Sequence, residues 1–152
     1  KEATVLTKEG EILTLSAEEL ELGYRTSNVI NCGYTVLGGT ISLKEGEPSE
    51  IKKQMDEYTL ARKTKQPLEL PSAGSTFKRP EGYFAGKLID DAGLRGYQVG
   101  GARVSDKHCG FVVNQENATA KDVLQLIEDV QKTVKEKFGV DLEPEVKRVG
   151  KF

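Results

Sequence analysis

The rhythm of apolar and polar positions changes along this chain between a period of about two and a period of about three and a half. Ala3 to Leu6, the turn "KEGE" and the run "ILTL" predict a β-hairpin. "SAEE" at Ser16 to Glu19 has capping-box spacing and predicts a short helical turn. "NVINCGYTVLGGTISLK" is rich in β-branched residues and predicts one or two strands, with Gly33, Gly38 and Gly39 marking a bulge or a close backbone approach. The chain opens on "KEATVLTKEG" with no Met, already inside the hairpin, so the expectation is a fragment whose first sheet is incomplete.

Helical periodicity then takes over. "EGEPSEIKKQMDEYTLARKTKQP" predicts a long helix between Pro48 and Pro67. Ile51, Met55 and Tyr58 fall on one face, and the same stripe continues onto Arg62 and Lys65. Either these two cations snorkel into solvent, or they line an anion pocket at the helix end. "YFAGKLIDDAGLRG" predicts a second helix, with Phe84, Leu88 and Ile89 on one side and Gly93 as its stop. "YQVGGARVSDKHCGFVVN" predicts short strands around a Gly100-Gly101 turn. "TAKDVLQLIEDVQKTVKEKF" predicts the strongest helix: Thr119 and Asp122 cap it, Val123, Ile127, Val130, Val134 and Phe138 form its apolar stripe, and Gly139 ends it. The closing "VDLEPEVKRVGKF" alternates as a strand, with Pro144 placing it at an edge or a bulge. The expected class is α+β: antiparallel strands over residues 1–46, then a mixed α/β domain over residues 47–152.

Composition narrows the function. At 152 residues and 37% hydrophobic content the chain can bury a real core. With 22 basic and 24 acidic residues and a net charge of −2, anion binding must come from local clusters, and a nucleic-acid duplex is not an expected partner. Cys32 and Cys109 lack CxxC spacing and His108 is the single histidine, so neither zinc nor a disulfide framework is indicated. No apolar run approaches a membrane span of roughly 20 residues, and nothing resembles a signal peptide; a soluble, cytoplasmic monomer is expected.

The chain has no phosphate-binding loop, no GxGxxG after a strand and no Ser-His-Asp order. A lone histidine such as His108 is more often a surface or core group than a catalyst, and "NAT" at Asn117 reads as the lead into a helix. What remains is a scatter of polar residues at element ends: Arg25, Arg62, Lys65, Ser75, Gln98 and Glu145. In "PSAGSTFKRP", Ser75 alone reads as part of a glycine-serine turn.

Taken together, "GYRTS", "ARKTKQPLELPSAGSTFKRP", "AGKLIDDAGLRGYQVGGARVSDKHCGFVVN" and "FGVDLEPEV" resemble the UDP-N-acetylenolpyruvoylglucosamine reductases, flavoenzymes of bacterial cell-wall synthesis. The resemblance runs from about residue 12 to residue 150 with order and spacing kept, and "AGSxFKxP" with "GGARVSxKHxGFxxN" is its most specific part.

The resemblance implies FAD as cofactor, NADPH as reductant and UDP-N-acetylglucosamine enolpyruvate as substrate, reduced to UDP-N-acetylmuramate. It assigns Arg25, Ser75 and Glu145 to catalysis, and Arg62, Lys65, Lys78 and Gln98 to the substrate. In this assignment Arg25 neutralises negative charge developing beside the substrate carboxylate. Glu145, kept protonated by its surroundings, donates to that carboxylate, and Ser75 gives its proton to the substrate carbon. A serine hydroxyl is a weak acid, so a nearby cation, Lys65 or Lys78, is expected to make its alkoxide tolerable.

The departures matter equally. The family's flavin is held mainly by an upstream domain with glycine-rich segments that these residues lack, so residues 1–46 resemble only the end of its second FAD-binding lobe. No residues are inserted between "FKRP" and "EGYFAGK", where one branch of the family carries a substrate-closing tyrosine, so the chain resembles the shorter branch. Two functions stay open: the catalytic, substrate-binding part of an FAD-dependent reductase, inactive by itself, or a UDP-sugar-binding module without redox activity of its own.

Overall fold

The computed structural model describes residues 1–150, so Lys151 and Phe152, the end of the expected last strand, lie outside the described residues. The chain divides into two compact units, Lys1–Ile51 and Lys52–Phe152.

In the first unit, β1 (Glu2–Leu6) pairs with β2 (Ile12–Ser16) as the expected hairpin. Thr7 closes it: its N–H donates to the Glu11 carbonyl at 2.8 Å, and its Oγ1 accepts from the N–H groups of Glu9 and Glu11 at 3.2 Å each. The "SAEE" box forms its two reciprocal bonds, Ser16 N–H to Glu19 Oε2 at 2.8 Å and Glu19 N–H to Ser16 Oγ at 3.3 Å. The residues after it make a turn and no helix.

Asn28–Cys32, expected in a strand, is instead a single helical turn, α1. β-Branching at Val29 and Ile30 lowers helix propensity only slightly, and two tertiary and local features outweigh it. Asn28 N–H is tied to the Leu20 carbonyl at 2.8 Å, and Gly33 stops the turn in the left-handed region at φ 68°. β3 (Thr35–Thr40) follows and completes an antiparallel sheet of order β2-β1-β3. The expected glycine bulge is present: Thr4 pairs with Gly38 but Val5 with Val36, which leaves Leu37 as the extra residue. Val5 is fully buried, whereas Ile12, Val36, Leu37, Ile41 and Leu43 are exposed.

α2 (Pro48–Lys65) runs on into the second unit as a regular helix. Pro48 begins it, Glu50 sits in its first turn, and Arg62, Lys63 and Lys65 occupy its last, the placement a helix dipole favours. The expected buried stripe is a correction: Ile51, Met55 and Tyr58 are exposed along with every other residue of α2. Local propensity and pairs such as Lys52 with Asp56 sustain this helix without burial.

The second unit is built on β4 (Ser72–Ser75), α3 (Ala85–Asp91), β5 (Gln98–Val99), β6 (Ala102–Val104), β7 (Phe111–Asn114) and α4 (Ala120–Phe138). The four strands form an antiparallel sheet of order β4-β7-β6-β5. Leu88 and Ile89 of α3 and Leu126, Ile127, Val130 and Val134 of α4 are buried with Ala102, Val104 and Val112 of the sheet in one core. The α+β expectation therefore holds. Phe84 departs from it: the residue stands at the N-cap of α3, 60% exposed, and carries the Arg79 guanidinium 4.0 Å above its ring. The expected last strand is also absent among the described residues. Pro144 has no N–H to extend a ladder, so residues 140–150 make only the isolated bridge of Phe77 with Pro144, and Leu142 anchors them in the core. Among the described residues no helix is long and apolar enough to cross a membrane.

α4 forms as expected, with a complete capping box of Thr119 and Asp122 and a left-handed Gly139 after Phe138. The Thr119 N–H holds the Asp122 carboxyl below its ordinary value of 3.8. A depressed carboxylate stabilises the fold above its unfolded value and loses that contribution as the pH falls through its lowered one. Thr119→Ala removes the hydroxyl that accepts from the Asp122 N–H and keeps the backbone N–H that depresses the carboxyl, so it should cost about 1 kcal/mol with most of that cost persisting below pH 3.8; urea melts at neutral and acid pH measure both.

Candidate active site

Ser75 owes its position to Gly74. The pairing of β4 with β7 shifts register between Ser72 and Ser75, and Gly74 sits in that irregularity at φ 85°, a conformation glycine adopts without strain. The chain emerges with Ser75 exposed, opposite Phe111, and with Thr76 and Phe77 buried directly after it.

Thr76 is fixed from three directions. Its N–H donates to the Gly110 carbonyl at 2.8 Å, its Oγ1 accepts from Val112 N–H at 3.0 Å, and its carbonyl accepts from Glu145 N–H at 2.9 Å. One step on, Lys78 N–H donates to the Glu143 carbonyl at 2.8 Å. Pro144 lies between these two bonds, where no N–H is required. Ser75 and half-buried Glu145, 70 positions apart in sequence, are thus held on adjacent stretches of backbone.

The cations divide by surroundings. Lys78 forms an ion pair with Glu143, its side chain 36% exposed and its partner's 69%. Arg62 and Lys65 lie exposed in the last turn of α2. Gln98 belongs to β5, at the opposite edge of the sheet from β4, and its Nε2 donates to the Gly100 carbonyl at 2.9 Å. Arg25 belongs to the first unit, in a turn closed by the Gly23–Thr26 bridge, at φ 57°. A non-glycine residue in that region is uncommon, and such outliers concentrate at functional positions.

His108 is structural, as a lone histidine usually is. Its Nδ1 accepts from Gly110 N–H at 3.1 Å and its ring meets Phe111 edge-on at 5.0 Å, so it shapes the turn whose carbonyl receives Thr76. Cys109 is buried, and burial, then the neighbouring Asp90, pushes its thiol up; a protonated buried thiol is a poor nucleophile. An apolar groove of about 450 Å³ lies beside the site, lined by Ala73, Thr76, Val113, Val123 and Val146 with Lys147. Neither Ser75 nor Glu145 is part of its lining.

The polar residues that hold the site were missed in the sequence. Thr76 is one letter from Ser75 in "AGSTFK", yet its role depends on Gly110, Val112 and Glu145, which are distant in sequence.

Comparisons with known proteins bear on the family. The family model described as UDP-N-acetylenolpyruvoylglucosamine reductase, C-terminal domain, matches residues 66–149. A UDP-N-acetylenolpyruvoylglucosamine reductase of Lachnoclostridium phytofermentans is 66% identical over 99% of this chain and 48% of its own length. One from Exiguobacterium sibiricum is 62% identical over 97% of this chain and 49% of its own. The chain spans about half the length of the curated relatives it matches. The crystal structure of UDP-N-acetylenolpyruvylglucosamine reductase from Thermus caldophilus superposes with a TM-score of 0.77 at 39% identity, over 94% of this chain and 51% of that one. With more than half its residues matched by the family's own C-terminal model, the chain belongs to the UDP-N-acetylenolpyruvoylglucosamine reductase family.

Proposed function

We propose that this chain is the substrate-binding and proton-delivering part of an NADPH- and FAD-dependent reductase. The enzyme converts UDP-N-acetylglucosamine enolpyruvate to UDP-N-acetylmuramate in peptidoglycan precursor synthesis, as a cytoplasmic monomer. Residues 1–46 form the end of the second FAD-binding lobe and residues 47–152 the substrate-binding domain. The observation that supports this reading is the bond from Glu145 N–H to the Thr76 carbonyl, which holds the glutamate's backbone against that of the residue following the serine.

The described residues fit the reacting side of such an enzyme and not the holder of its cofactor. Ser75 is exposed and Glu145 half-buried, while no helix among the described residues opens on a glycine-rich loop of the kind that cradles a pyrophosphate. When bound, the flavin supplies the hydride of the reduction. The chain's own residues handle charge and proton. Arg25 offsets the negative charge that develops next to the substrate carboxylate, Glu145 bonds that carboxylate, and Ser75 Oγ releases its proton to the adjacent carbon. Arg62 and Lys65 meet the anionic part of the substrate, with Lys78 and Gln98 completing its contacts.

The second reading, a UDP-sugar-binding module without redox activity of its own, is favoured by one fact: Arg62, Lys65, Lys78 and Gln98 all lie in the second unit. Colour separates the two. Under the reductase reading the protein extended upstream to the length of its relatives is yellow when purified, and residues 1–152 alone are not; a colourless extended protein supports the module.

A further inference from the structure

The last carbonyls of any helix lack intrahelical partners, and in α2 one of them is met from far along the chain. The Lys63 carbonyl accepts from Lys107 Nζ at 2.8 Å, and the same ammonium pairs with Glu69 at 3.3 Å. Lys63 lies between Arg62 and Lys65, and Glu69 lies in the segment that leads from α2 to β4. The Glu69 carboxyl is held below its ordinary value, first by its own backbone N–H and then by Lys107.

At its other end Lys107 is well rooted. Its N–H donates to Oγ of the buried Ser105 at 3.2 Å, in the loop whose Gly110 carbonyl holds Thr76 beside Ser75. α2 is exposed along its whole length, so burial does not fix its end. A single ammonium therefore ties the turn carrying Arg62 and Lys65 to the loop that supports Ser75.

We propose that Lys107 is a positioning residue: it sets the basic end of α2 so that Arg62 and Lys65 meet the anionic part of the substrate. This rests on the reading above that those two residues contact substrate. Lys107 itself binds nothing in this scheme. An interaction used equally in the ground and transition states changes KM and leaves kcat alone, so that split is its signature. A partly exposed ion pair adds little to stability, so the thermal midpoint should barely move.

The test uses the complete, flavin-loaded enzyme with NADPH and UDP-N-acetylglucosamine enolpyruvate. Lys107→Met should raise the substrate KM about tenfold, the value of one lost charge-assisted hydrogen bond, with kcat and the KM for NADPH within about twofold of wild type. Lys107→Arg, which keeps the charge and the donors, should restore KM. In a background already carrying Arg62→Ala and Lys65→Ala, Lys107→Met should add nothing, because residues acting as one unit are not additive. A full tenfold further rise in that background means the ammonium acts directly on substrate, and overturns the proposal. An unchanged KM in Lys107→Met, with KM raised by Arg62→Ala and Lys65→Ala, sinks it while leaving the substrate-contact reading intact. If Arg62→Ala and Lys65→Ala leave KM unchanged, that reading fails and this inference with it.

Discussion

In the complete enzyme, Ser75→Ala should slow the reoxidation of reduced flavin by the enolpyruvyl substrate about a thousandfold, within the range a positioned general acid supplies. The first half of the cycle, reduction of the flavin by NADPH, should proceed at the wild-type rate, because the proposed proton transfer from Ser75 belongs to the second half. Substrate KM should change little, since the hydroxyl is needed as charge develops and not for binding. The loss is not attributable to unfolding. Ser75 is exposed at a strand end, with Gly74 before it and the fixed Thr76 after it, and a surface serine-to-alanine change is worth at most about 0.5 kcal/mol. Rapid-mixing measurements of flavin absorbance resolve the two halves. Reoxidation at the wild-type rate in the variant would remove Ser75 from the reaction and return it to a turn residue.

The second large effect concerns the fold that carries the site. Gly101→Ala should destabilise the second unit by about 3 kcal/mol, at the upper end for overpacking, because the atoms in the way are backbone. A methyl group there would lie 2.0 Å from the Glu116 carbonyl oxygen and 2.5 Å from the Ala118 nitrogen. Gly101's own carbonyl accepts from the N–H groups of Gln115 and Glu116 at 2.9 and 3.2 Å. The clash therefore moves the turn that presents Thr119, the cap of α4. With a urea slope of about 1.5 kcal/mol per molar, the midpoint should fall by about 2 M. Gly139→Ala provides the contrast: at φ 71° with nothing within 4 Å of the added carbon, it should cost only about 1 kcal/mol. A Gly101→Ala midpoint close to that of Gly139→Ala would show that the 115–118 turn yields freely.

Local signals carried most of the fold. α4 was legible because cap, stripe and terminating glycine agree over one stretch, although Leu126, fully buried beside the stripe, was not singled out. The hairpins were legible because their turns and β-branched runs are contiguous. α2 was legible as a helix but not in its burial, since an i, i+4, i+7 stripe says that a face could be covered and not that it is. α1 and residues 140–150 were misread where one residue outweighed the pattern: left-handed Gly33 in the first case, Pro144 without its N–H in the second.

The site was legible only as a set. No periodicity links Ser75 to Glu145; their association appears in the sequence through resemblance alone, and the fold adds one backbone bond from Glu145 to Thr76, the neighbour of Ser75. Lys107 lies within "GGARVSDKHCGFVVN", but its target is a main-chain carbonyl 44 positions away, which leaves no mark in side-chain identities.

The most direct test of the central claim is steady-state NADPH oxidation dependent on UDP-N-acetylglucosamine enolpyruvate, run on residues 1–152 and on the protein extended upstream to the length of its relatives. The account predicts no turnover from residues 1–152 and full turnover from the extended protein, lowered by orders of magnitude in Ser75→Ala. Turnover by residues 1–152 alone, or none by the extended protein, would contradict it.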